Sequence, residues 1–173
     1  MPRSSRQDTE RHRRQVIEGA SELFRERGLD GVNVGELMGA AGLTHGGFYR
    51  HFGSKQELAA LAAADALAKQ TALLQDVSEP EFIEYYLSAE HRDDLAHGCT
   101  MGALGAEIAR SDGPVREAFV DAYRDFVDEF ARGDREQALV KLATMVGALI
   151  IARATAGDPL SDEVLAAARR ALR

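Results

Sequence analysis

The chain of 173 residues predicts an all-α protein of about nine helices. Three observations carry this. No segment alternates apolar and polar residues long enough to read as a strand. Apolar residues recur instead at the 3.6-residue helical period. Capping residues, prolines and glycines also punctuate the chain into helix-sized pieces up to its end.

The first helix runs from about Thr9 to Arg27. Val16, Ile17, Ala20, Leu23 and Phe24 form one stripe, and Arg25 and Arg27 before Gly28 give a basic last turn and a stop. Asn33 caps a second helix, Val34 to Ala41, and Gly42 breaks it. Thr44 caps a third, from His45 to about His51. The fourth starts at Ser54, with Glu57 placed for a capping box, and continues through Leu58, Leu61 and Ala62 to about Leu74. Glu79-Pro80 opens a fifth, carrying Phe82, Ile83, Tyr85, Tyr86 and Leu87. His91-Arg92-Asp93-Asp94 reads as a polar connection. The sixth runs from about Gly98 to Arg110, ended by Asp112-Gly113-Pro114. The seventh, Pro114 to about Ala131, carries Val115, Phe119, Tyr123, Phe126, Val127 and Phe130. Asp134 caps the eighth, which reaches about Ala156. Gly157-Asp158-Pro159 separates the ninth, Ser161 to Leu172, with Ser161 as its cap.

Asn33 to Lys55 is the most informative stretch. Two short helices joined by a glycine turn cannot bury their apolar side alone. The stripe of the first helix can pack on Leu37, Met38, Leu43, Phe48 and Phe52 to make a three-helix core. Tyr49 points elsewhere and is free for a phosphate. This is the sequence form of a DNA-reading helix-turn-helix.

Charge is uneven along the chain. The net charge is −7, yet residues 1–55 carry nine Lys/Arg against seven Asp/Glu and the remainder twelve against twenty-one. The favourable field for nucleic acid lies at the N-terminal end. Arg3, Arg6, Arg11, Arg13 and Arg14 form either a solvated tail or a DNA-contacting arm. No secretory signal is visible, and the longest uncharged apolar run, Leu142 to Ala152, has eleven residues against the roughly 20 of a membrane span. A cytoplasmic protein without a membrane partner is expected. The single cysteine, Cys99, excludes an internal disulfide and a thiolate-based zinc site, and reads as a small buried hydrophobe. No metal or cofactor is expected. No catalytic motif stands in the sequence: there is no HExxH, GxSxG or P-loop, and the chain does not read as an enzyme.

Leu43-Thr44, Phe48-Tyr49, His51-Phe52 and Ser54-Lys55 with Glu57 resemble the signature of the TetR family of transcriptional regulators. The resemblance spans roughly Glu10 to Leu61. His97-Gly98-Cys99 followed by Ala103-Leu104-Gly105-Ala106-Glu107 looks like the start of the sixth helix in some members. The resemblance implies a DNA-binding domain over 1–54, with 1–8 a disordered arm, and a ligand-binding and dimerisation domain over 55–173. By their places in the pattern, Thr44, Tyr49, His51 and Lys55 look like phosphate contacts. That leaves His45 and Arg50 to read bases. Gly46 and Gly47 are adjacent where members commonly carry one glycine. Either their missing side chains let the backbone approach the groove floor, or they are tolerated drift.

The eighth helix is the clearest association surface. Leu139, Leu142, Ala143, Val146, Leu149 and Ile150 form an apolar stripe, read here as a two-fold dimer interface shared with the ninth helix and alternatively as a monomer core. Two recognition helices would suit a two-fold operator on double-stranded DNA. Phe82, Tyr85, Tyr86, Met101, Leu104, Phe119, Tyr123, Phe126 and Met145 suit a pocket between helices, most of them core by default. Tyr86 and Tyr123 stand out because a buried phenol needs a partner. His97 is a weaker candidate for the same pocket. The expected function is a repressor released by a small, mostly hydrophobic effector. The alternatives are a regulator of the same fold without such an effector, and a helical interaction module.

Overall fold

The computed structural model describes residues 6–173, and no strand occurs among them. The α-helices are α1 (Arg6–Arg27), α2 (Val34–Ala40), α3 (Lys55–Leu73), α4 (Glu79–Tyr86), α5 (Ala89–Asp93), α6 (Thr100–Arg110), α7 (Pro114–Ala131), α8 (Arg135–Ala154) and α9 (Pro159–Leu172). A 3-10 helix, His45–Arg50, lies between α2 and α3.

Local hydrogen bonding decides where these elements begin. Asn33 Oδ1 accepts the Glu36 N–H at 3.0 Å while Glu36 Oε2 accepts the Asn33 N–H at 2.9 Å, a reciprocal cap on α2. Gly42 then turns the chain at φ +69, where a side chain would be strained. Ser54 accepts from Glu57 N–H at 3.0 Å, but the return bond from Glu57 lands one residue earlier, on Gly53 N–H at 2.7 Å.

Several boundaries differ from expectation. The helix α1 starts at Arg6, so residues 6–8 of the expected arm are helical; Asp8 sits in the first turn, where its charge suits the helix dipole. The rest of that arm, Arg3 included, lies outside the described residues. Thr44 makes no side-chain cap, and the recognition segment is 3-10 rather than α-helical. Two successive glycines weaken the α-helix there. The polar connection at His91–Asp94 holds a further short helix, α5, because Ser88 Oγ caps it by accepting the His91 N–H at 3.1 Å. Asp158, not Ser161, caps α9, accepting the Leu160 N–H at 2.9 Å. Ser161 is buried and donates to Ala152 O at 2.7 Å.

Two apolar clusters fill the fold. The first joins Val16, Ala20 and Phe24 of α1 with Leu37, Met38, Phe48, Phe52 and Leu58, and also takes in Leu104, Ile108, Val115 and Phe119 from α6 and α7. The second joins Ile83, Tyr86 and Leu87 with Phe126, Phe130, Leu142, Met145, Leu149 and Leu165. By length and composition α8 is apolar enough to cross a membrane, which the eleven-residue run had not suggested. Ala138, Leu142, Met145, Ala148, Leu149 and Ala152 face the interior, while Leu139, Val140, Ile150 and Ile151 stay exposed.

Candidate nucleic-acid interface and buried cavity

The recognition segment is anchored from beneath and bare on top. Phe48 is fully buried and Phe52 nearly so, their rings 5.5 Å apart, which pins the segment to α1. Tyr49 is 74% exposed, edge-on to Phe48. Thr44, His45, Gly46 and Arg50 are also exposed, with Gly47 half-buried. A Cβ built on Gly46 meets nothing within 4 Å, and one on Gly47 reaches only Met38 Cε at 3.5 Å, an ordinary contact. Internal packing therefore demands glycine at neither position. Thr9, His12, Thr44, Gly47, Arg50 and His51 line a groove between α1 and this segment. His51 is half-buried, and its Nδ1 is enclosed without a hydrogen bond. Burial holds its pKa below the usual histidine value, and the nearby His12, Arg50 and Arg13 push the same way. Both effects favour the neutral ring of His51. Lys55 is half-exposed in the first turn of α3.

A second feature lies at the far end of α3. Leu67, Gln70 and Leu73 of α3, Phe82, Tyr85 and Tyr86 of α4, and His91, Cys99, Met101, Tyr123, Phe126, Leu142 and Val146 surround a cavity of about 40 Å³. Leu73 and Tyr85, both well exposed, form its rim. His91 is fixed by two bonds: Nδ1–H donates to Tyr86 O at 2.6 Å, and Nε2 accepts the Cys99 N–H at 3.1 Å. This selects one neutral tautomer, and burial lowers the pKa despite the bond to Tyr86. The Tyr86 hydroxyl lies beside the Cys99 thiol but forms no hydrogen bond of ordinary geometry, and burial pushes its pKa well up. Arg153 donates to the carbonyls of Arg92 at 3.0 Å, His91 at 3.1 Å and Asp94 at 3.3 Å, closing the C-terminus of α5.

Two helices join these features. The nineteen-residue α3 runs from Lys55 to the cavity wall. The helix α6 begins at the cavity, where Cys99 Sγ accepts the Gly102 N–H, and both it and the turn before it are bonded to the N-terminal unit. Arg25 Nε donates to Ala96 O at 2.5 Å, and Glu107 Oε2 accepts the Leu29 N–H at 2.7 Å. Gln70 Nε2 donates to Gly98 O at 2.8 Å, tying α3 to the start of α6.

The family described as bacterial regulatory proteins, tetR family, matches residues 16–70. The chain is 37% identical over 123 residues to the transcriptional repressor AcnR of Corynebacterium glutamicum, covering 69% of this chain and 62% of that one. It is 25% identical over 126 residues to the repressor DhaR of a Mycobacterium species, covering 69% and 64%. The chain thus spans less than two thirds of either relative. A TetR transcriptional regulator from Chloroflexus aurantiacus superposes with a TM-score of 0.72 at 26% identity, over 96% of this chain and 94% of that one. The reduced form of NemR from Escherichia coli superposes at 0.76 with 20% identity, over 94% and 95%. Residues 16–70 thus form a DNA-binding unit of the TetR family.

Within this TetR-family fold the sequence-derived residues fall into place unevenly. Phe82, Tyr86, Met101, Tyr123 and Phe126 meet around the cavity, with Tyr85 at its rim. Leu104 and Phe119 do not. Leu104 turns toward Phe24, Ala62 and Ala66, and both belong to the first cluster, on the DNA-proximal side. Met145 is wholly enclosed in the second cluster behind the lining. His97 is exposed and bonds Asp94 at 3.0 Å. Leu142 is buried and Val146 half-buried, and both line the cavity. Leu139, Ala143 and Ile150 remain exposed, joined by Val140 and Ile151. Sequence reasoning missed His91 and Gln70 as cavity residues. A histidine in a polar run gave no signal, since only the cap at Ser88 turns it inward. Among the described residues no three metal-ligating side chains converge.

Proposed function

We propose that this chain is a sequence-specific DNA-binding transcriptional regulator, a repressor that leaves a two-fold operator when a small, mostly hydrophobic effector enters the cavity. The reading rests on one arrangement above all: a bare, glycine-containing recognition segment on Phe48 and Phe52, bonded through α6 to an apolar cavity. Thr44, Tyr49, His51 and Lys55 take phosphates, while His45 and Arg50 face base edges. The exposed apolar face of α8, Leu139, Ala143, Ile150 and Ile151, with α9 beside it, joins two copies across a two-fold axis. Two copies present two recognition segments to half-sites about one DNA turn, roughly 34 Å, apart. The DNA-binding part takes in residues up to 54, the effector-binding and dimerising part those from 55 on, and the protein acts in the cytoplasm without catalysing a reaction. A fold of this kind accommodates both ligands in AibR, whose structure holds isovaleryl coenzyme A and operator DNA (TM-score 0.62, 16% identity, over 93% of this chain and 97% of that one).

An effector must bind the two arrangements unequally to shift them, and 1–3 kcal/mol of coupling is a typical scale. Tilting α6 pulls on Leu29 through Glu107 and so moves the turn that carries α2. The DNA upstream of the coding region is the natural probe. Tyr49→Phe and Lys55→Ala should weaken binding to all sequences alike, and Lys55→Ala should reduce the salt slope by about one unit. Substituting His45 should change sequence preference instead. Unaltered affinity in all three variants would remove the assignment. The cavity, at about 40 Å³, also favours a second reading, a regulator of this fold that takes no small molecule. DNA release by no small apolar compound would support it.

A further inference from the structure

Of the polar groups around the cavity, nearly all are committed. Gln70 donates its amide to Gly98 O, His91 uses both ring nitrogens, Cys99 Sγ accepts the Gly102 N–H, and Tyr85 and Tyr123 are only partly buried. Tyr86 differs. Its ring is packed against Phe82 and His91, with centroids 5.7 and 4.6 Å apart, and the residue is 5% exposed. Its hydroxyl lies beside the Cys99 thiol, a weak acceptor, and forms no hydrogen bond of ordinary geometry. A buried phenol in that state gains when an acceptor arrives. Arg153 Nη1 is another enclosed donor without a partner, but Arg153 is held on the carbonyls of His91, Arg92 and Asp94 and does not line the cavity.

The lining also carries no charge at neutral pH. It contains no Asp, Glu, Lys or Arg, and burial keeps His91 neutral. Arg153, outside the lining, acts on the Tyr86 hydroxyl but is held on three backbone carbonyls, and no carboxylate lines the cavity, so an anion or an ammonium would lose hydration with little compensation. We propose that the cavity selects an uncharged, compact, mostly apolar molecule bearing one hydrogen-bond acceptor, such as a carbonyl oxygen, which receives the Tyr86 O–H. The volume of about 40 Å³ holds little more than water, so the occupant enters by displacing the exposed Leu73 and Tyr85 at the rim. This deepens the effector reading above and rests on it.

Four probes of similar size separate the chemistries: acetophenone, isopropylbenzene, benzoate and benzylamine. Binding to the full chain is measured by calorimetry on wild type and on Tyr86→Phe, which keeps the ring and whose folding is checked by its melt. DNA release is followed in parallel by fluorescence anisotropy. Acetophenone should bind wild type up to about tenfold more tightly than isopropylbenzene, the scale of one net hydrogen bond. In Tyr86→Phe the ketone carbonyl is buried without a donor, so the preference should reverse in favour of isopropylbenzene, whose own binding stays as in wild type. Tighter binding of benzoate or benzylamine, an undiminished ketone preference in Tyr86→Phe, or failure of all four to bind overturns the proposal. Tyr86-dependent ketone binding that leaves DNA bound overturns the effector reading and spares the ligand class. DNA release that does not depend on Tyr86 does the reverse.

Discussion

Gly46→Ala separates what the protein needs from what its ligand needs. Gly46 lies in the 3-10 segment, its φ is not in the positive region, and a Cβ there enters open space. Alanine narrows the unfolded ensemble without strain in the fold, so the variant should gain about 0.4–1 kcal/mol. For a chain of this size that raises Tm by roughly 1–4 °C. The same methyl group stands on the outer surface of the recognition segment, which in the proposed function faces a DNA groove. If close approach is the reason for glycine, affinity for the upstream DNA should fall at least about tenfold, or about 1.4 kcal/mol. A calorimetric melt and an anisotropy titration at fixed salt give both quantities on one preparation. A more stable variant that binds DNA as wild type does would show that the glycine is drift. A less stable variant would refute the structural premise.

Three further outcomes follow from particular contacts. Ile150→Asp places a carboxylate on an exposed face and should yield a folded monomer by sedimentation, whereas Leu142→Asp buries an unpaired charge at a cost of several kcal/mol and should unfold. A folded Leu142→Asp variant, or an Ile150→Asp dimer of unchanged stability, would show the faces misassigned. Glu107→Ala leaves the Leu29 N–H without its acceptor and should cost about 1–3 kcal/mol in urea unfolding. It should also reduce effector-driven DNA release by more than it reduces effector binding. The lowered pKa of the buried His91 means the unfolded chain takes up its proton first. Its stabilising contribution is complete above the unfolded value of about 6.5 and is lost as pH falls through the folded value, at no more than about 1.4 kcal/mol per pH unit. Urea unfolding between pH 7 and 5.5 should show this slope, and His91→Gln should flatten it; an equal slope in the variant would assign the loss elsewhere.

The helices were legible because their signals are local. Asn33, Ser54 and Asp134 announce starts that need no distant partner, and each caps as its chemistry demands. Ser161 shows the limit. It has a cap residue's identity, yet Asp158 with Pro159 begins the helix earlier and leaves Ser161 to bond Ala152 across the fold. Apolar periodicity likewise marks that α8 is buried on several sides but not which side meets which neighbour. Leu139 and Leu142 read alike in the sequence, and only the packing of α4, α7 and α9 sends one to solvent and the other to the cavity. Leu104 and Met101 sit three residues apart on α6, yet Leu104 lies in the first core while Met101 packs against both and reaches the cavity. His91 was invisible because its burial depends on Ser88 below it and Cys99 beyond it.

The first apolar cluster draws Leu104, Ile108, Val115 and Phe119 from beyond the recognition unit. Modularity is therefore restricted in this chain. Residues 1–54 cannot be transplanted to another regulator as a self-contained cassette, because their core is finished by side chains supplied from α6 and α7. A graft that changes operator preference must stop at the exposed residues from Thr44 to Arg50, or carry the complementary faces of α6 and α7 with it. If those surface residues set operator preference as proposed, they can change singly, whereas the seam beneath them can change only in step on both sides.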